Sequence, residues 1–170
     1  DRLQEVQRTV PEFQKTRLLL AECHLNLGRA DAARAELAEY IARAPHDMAG
    51  YDLLARVDPA EATRALEAHV LPRLSLRRHW IIRDIPETDE VHRLLNLYVQ
   101  MGHAAAAREL MNRVQRFQRE DLGRGTYEAA DEVRALEARY DTADRPALAA
   151  RLRRMFPEIW PDDAPAGTDR

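Results

Sequence analysis

Six histidines, one cysteine and a cluster of arginines around a tryptophan are the side chains of this sequence best suited to chemistry. The histidines His24, His46, His69, His79, His92 and His103 stand singly. No two share the i, i+4 spacing that lets one helix face hold zinc, and Cys23 has no second thiol to join it. Cys23 and His24 are neighbours about 100° apart on a helix, so they do not face one partner as a nucleophile and its base must. Gly123-Arg124-Gly125 lacks the preceding strand, the further glycines and the lysine of a phosphate-binding loop, and reads as a helix end and turn. These residues predict no catalytic site, no metal and no cofactor.

The arginine cluster is less easily set aside. Pro72 to Pro86 reads PRLSLRRHWIIRDIP, with Arg73, Arg77, Arg78 and Arg83 around Trp80. Arginines interleaved with an aromatic can grip phosphate and stack on bases. The same types are enriched at the centres of protein interfaces. They can equally form an amphipathic connector, with Leu74, Leu76, Trp80, Ile81 and Ile82 buried and the guanidiniums in water. Asp84, Glu87, Asp89 and Glu90 follow at once and would repel a polyanion, which argues against nucleic acid as the partner. Arg77, Arg78, Trp80 and Arg83 are therefore kept as a second possible contact surface for a protein, with nucleic acid or another anionic surface as the alternative reading.

The bulk properties favour a helical scaffold. The chain has 170 residues, 45% of them hydrophobic, enough to bury a core about one domain in size. Nine prolines and six glycines fall between periodic segments, and alternating strand-like runs are absent. A net charge of −3 over a mixed-sign surface exerts no general pull on nucleic acid or membrane. Basic residues are almost all arginine, with Lys15 the only lysine, a composition that points to a GC-rich bacterial source. The lone cysteine frees the fold from any oxidising compartment, and no run is long and apolar enough to span a bilayer, which leads to a cytoplasmic expectation. The chain begins with Asp, which reads as a piece of a longer protein that could carry an anchor elsewhere.

Leu18 to Pro45, LLLAECHLNLGRADAARAELAEYIARAP, sets the pattern. Leu20, Ala21, His24, Leu25 and Leu27 give a first helix one apolar face. Gly28 suits the left-handed turn, Asp31 is placed to cap the next helix, and Ala33, Leu37, Tyr40 and Ile41 form its inward stripe. Asp52 to Val57 is a short following helix, Asp58-Pro59 a cap and first-turn proline, and Ala60 to Leu71 the next helix. Val91 to Gln118 repeats the first pattern around Gly102, two periods of about 34 residues after Gly28 with a surplus of about six. Tyr127 to Tyr140 is another helix; Asp144 is placed to cap the last one, which Pro146 opens and Met155 ends. The tail from Pro161 to Arg170 is small and polar, and disorder is expected there.

The first of these stretches resembles the tetratricopeptide repeat. Counted from Gln14, residues Leu20, Ala21, Gly28, Ala33, Leu37 and Pro45 fall on that family's pattern, while Arg17 and His24 stand where a large apolar residue and a tyrosine are usual. The resemblance implies an all-α, right-handed α-solenoid of three to four helix-turn-helix hairpins over residues 1–160. The units run roughly over 14–47, 48–74, 88–121 and 126–156, with a connector at 72–87. It also implies a non-catalytic scaffold whose concave groove binds a peptide or helix of a protein partner, with self-association possible. Groove positions of the family fall on Lys15, Leu18, Glu22, Leu25 and Asn26, on Asp52 and Arg56, and on His92, Arg93, Asn96 and Gln100. The lysine and asparagine with which chaperone-binding members clamp a terminal carboxylate are Leu18 and Glu22 here, so that clamp is not expected. Arg93 can pair with a carboxylate and Asn96 can bond a peptide backbone.

Overall fold

The structure is a computed structural model describing residues 14–74, 86 and 88–161. The described residues form eight α-helices and no strand, an all-α fold of tetratricopeptide-like hairpins. The chain divides into two compact units, Asp1–His69 and Val70–Arg170.

In the first unit, α1 (Gln14–Asn26) and α2 (Ala30–Arg43) pack as an antiparallel hairpin. Leu20, Ala21, Ala33, Leu37 and Tyr40 are all buried where the helices meet, with both alanines at 0% exposure. Such small side chains let two backbones approach closely, and Arg17 Nη1 ties α1 to Glu36 Oε2 on α2 at 2.9 Å. The apolar face expected on α1 is narrower than its sequence suggests. The helix ends at Asn26, which leaves Leu27 in the turn and 65% exposed.

Helix α3 (Met48–Val57) starts four residues ahead of the expected Asp52 because Asp47 caps it, with Oδ1 accepting from Ala49 N at 3.0 Å. The other carboxylate oxygen of Asp47 accepts from the Tyr40 hydroxyl. Burial first, then this bond and the Asp47 charge, push the Tyr40 phenol up to about 12. Helix α4 (Pro59–Val70) begins as its sequence predicts: Asp58 Oδ1 accepts from Glu61 N at 3.0 Å, and Ala62, Leu66 and Val70 are fully buried.

The second unit opens with a 3₁₀ turn (Leu71–Arg73) and continues through α5 (Thr88–Met101) and α6 (Ala104–Arg116), a π turn (Phe117–Asp121), α7 (Ala129–Thr142) and α8 (Pro146–Met155). Leu94, Leu95, Val99, Ala107, Leu110 and Leu152 are at 0–1% exposure and form its core. Arginines close several helix ends: Arg151 Nη1 donates to Val99 O at 3.1 Å and Arg108 Nε to Met155 O at 2.6 Å. Carbonyls of a last turn have no partner within their own helix, and a guanidinium satisfies them and the helix dipole together.

Three hairpins use one turn. The left-handed residue is Gly28 (φ 69), Gly102 (φ 77) or Asp144 (φ 51). The amide of the next residue, Arg29, His103 or Arg145, bonds five residues back to the carbonyl of His24, Tyr98 or Tyr140, at 2.8–2.9 Å. That same residue is then the N-cap of the second helix, without a side-chain bond. Two capping expectations are thereby corrected. Asp31 lies inside the first turn of α2, paired with Arg34, and Asp144 is the left-handed residue.

A Cβ on Gly28 or Gly102 would meet nothing within 4 Å, so their requirement is conformational alone. Gly28→Ala should cost about 1 kcal/mol, and Asp144→Gly should gain about 0.5–1 kcal/mol by relieving the same strain. Thermal unfolding followed by circular dichroism reads both signs. A loss of stability in Asp144→Gly would show that the aspartate side chain, and not its φ, matters at this turn.

Candidate functional site

The expected groove residues have different fates in the two units. On α1, Lys15, Glu22 and Asn26 are exposed, as are Asp52 and Arg56 on α3; Leu18 and Leu25 are half-buried. In the second unit, His92, Arg93 and Asn96 are drawn together along one side of α5, where they line a cleft of about 280 Å³ against α7. Gln100, a turn further on, is exposed, and its carbonyl accepts from Arg151. Arg77, Arg78, Trp80 and Arg83 lie outside the described residues.

Helices α5 and α7 run parallel, because their contacts advance together: His92 meets Glu132, and Asn96 meets Tyr140. The Tyr140 hydroxyl donates to Asn96 Oδ1 at 2.7 Å. Burial raises the Tyr140 phenol above its ordinary value, with the charge of Arg145 opposing. His92 is only 3% exposed, and its Nε2 lies 2.7 Å from Glu132 Oε2 while its buried Nδ1 has no partner among the described residues. Glu132 also accepts from the Tyr127 hydroxyl at 3.1 Å. Burial and then the Glu132 charge hold that phenol above its ordinary range. His92 thus forms a wall of the cleft and is not a freely offered side chain.

The open part of the cleft is dominated by guanidiniums. Arg93 Nε donates to Asp89 Oδ2 at 3.0 Å, and Arg139 Nη1 reaches Asp89 Oδ1 at 3.5 Å, so one carboxylate bridges two arginines. Arg145 lines the same cleft and has no carboxylate partner among the described residues. Burial works to raise the Asp89 carboxyl, but the hydrogen bond and charge of Arg93 and then Arg139 prevail and hold it below its ordinary value of 3.8. Asp89, Arg139, Tyr140 and Arg145 were not among the residues expected here. The sequence places them in separate units, 88–121 and 126–156, and local spacing does not show that α7 lies against α5. Their signal was the turn itself: Tyr140 precedes Asp144 as Tyr98 precedes Gly102, which makes α7 the counterpart of α5.

Sequence spacing also separated two histidines that the fold joins. His46, in the turn before α3, and His69, at the end of α4, have ring centroids 4.9 Å apart in an edge-on arrangement, with Tyr51 stacked on His69 at 6.1 Å. Cys23 is half-buried on α1.

No helix among the described residues is long and apolar enough to cross a membrane. Neither the curated proteins nor the solved structures include a match to this chain. Residues 1–57, the stretch that carries α1, α2 and α3, match the family model of the tetratricopeptide repeat.

Proposed function

We propose that this chain is a non-catalytic adaptor that holds a segment of a partner protein in the cleft between α5 and α7. Tetratricopeptide repeats are in general protein-interaction scaffolds and typically do no chemistry themselves. One observation carries the reading to this cleft. Arg93 on α5, Arg139 on α7 and Arg145 in the turn after α7 line one open cleft of about 280 Å³, and the two helices are joined through Asn96, Tyr140, His92 and Glu132. Interaction sites are held best on such braced elements, since little further ordering is needed when the partner arrives.

A steric block tests the reading without touching charge. Ala143 is exposed and lines the cleft, so Ala143→Trp should fill it while leaving every ion pair in place. Affinity capture from the source organism's lysate would compare the wild-type chain with this variant, both checked for equal helicity. A partner lost by at least tenfold in Ala143→Trp supports the cleft. A partner captured equally by both moves the binding surface elsewhere.

A further inference from the structure

We infer that the α5–α7 cleft selects an acidic stretch of its partner through side-chain carboxylates, and that Asp89 is an internal competitor for the same guanidiniums. The inference rests on the cleft being the partner-binding face.

Among the described residues that line this space, three guanidiniums, those of Arg93, Arg139 and Arg145, stand with one carboxylate, that of Asp89, in a chain whose overall charge is −3. The Asp89 carboxylate already shows the geometry that the site accepts. Its two oxygens serve Arg93 and Arg139 separately, at 3.0 and 3.5 Å, while Asp89 itself remains 48% exposed. A carboxylate from a partner can therefore take over the Arg93 or Arg139 donors from the solvent side, and a second can meet Arg145. Charge-assisted bonds of this kind are among the stronger polar contacts, and planar guanidinium matches carboxylate in shape.

The surroundings favour a peptide over a nucleic acid. Stacking on bases needs an open aromatic face, and the aromatic ring lining this cleft, Tyr140, is 3% exposed with its hydroxyl committed to Asn96.

The test uses two fluorescent twelve-residue peptides, N-acetylated and C-amidated so that only side chains carry charge. One alternates Glu and Gly, the other Gln and Gly. Binding to the full chain is followed by anisotropy at low and at physiological salt. The expected result is binding of the Glu peptide alone, weakening as salt rises. Arg145→Gln should lower its affinity about fivefold, and Asp89→Asn, with helicity unchanged, should raise it about threefold.

Equal binding of the two peptides overturns the inference. So does an Asp89→Asn variant that binds the Glu peptide more weakly, or a single-stranded DNA of equal charge that binds as tightly. If Ala143→Trp abolishes partner capture while neither peptide binds, the cleft reading stands and the acidic specificity falls.

Discussion

Replacing Arg73 with alanine should destabilise the second unit by about 3–5 kcal/mol, the largest single loss expected from any charged residue here. Arg73 and Glu90 are joined by two bonds, Nη1 to Oε1 at 3.0 Å and Nη2 to Oε2 at 2.7 Å. Their side chains are only 8% and 2% exposed. The pair clips the 3₁₀ turn to the first turn of α5, bridging a separation of 17 residues. Removing the arginine takes two charge-assisted bonds and their counter-charge from a buried carboxylate that lost its hydration on folding.

The attraction itself contributes far less than this, because both charges already lost their hydration on folding. A double replacement separates the two effects. Arg73→Met with Glu90→Leu removes both charges and keeps most of the volume, and should recover the greater part of the loss. Arg73→Lys should fall between, since an ammonium cannot reproduce the two-pronged contact. Urea denaturation followed by circular dichroism measures all three. An Arg73→Ala loss below about 1 kcal/mol would mean that Glu90 reaches water or another partner when the arginine is gone.

That pair also shows where the sequence misleads. Arg73 reads as one of a solvated arginine cluster and Glu90 as part of an acidic run, yet the two are buried against each other. Charge type and local spacing carry no information about a contact made by chain reversal. The helices were legible because their apolar period is local, and Gly28 and Gly102 marked their turns because few other residues tolerate positive φ. Asp144 was misread for a matching reason. Aspartate before a helix usually caps it, and only the bond from Arg145 N to Tyr140 O reveals the left-handed turn.

The candidate site was half legible. His92, Arg93 and Asn96 followed from the repeat register on α5, whereas Arg139 and Arg145 required the knowledge that α7 lies parallel to it. Burial of His92 was beyond the register too. A groove position in a repeat becomes a wall when the neighbouring helix supplies a fitting acceptor, as Glu132 does here.

Glu132→Ala should therefore cost about 2–4 kcal/mol, although Glu132 is itself partly exposed. Its carboxylate serves two donors at once, the His92 ring at 2.7 Å and the Tyr127 hydroxyl at 3.1 Å. His92 is nearly fully buried and its Nδ1 has no partner among the described residues, so losing Glu132 takes away the one bond they give the ring. The penalty is that of bare buried polar groups, which exceeds the net gain of the bonds that satisfied them. Glu132→Gln keeps one acceptor oxygen for one of the two donors and should cost about half as much. Combining Glu132→Leu with His92→Leu and Tyr127→Phe removes every polar member and should restore most of the stability. If the alanine variant alone stays within about 0.5 kcal/mol of wild type, water reaches His92 from the cleft. The wall between α5 and α7 is then open enough to admit a ligand's own hydrogen-bonding group, and His92 becomes a contact residue.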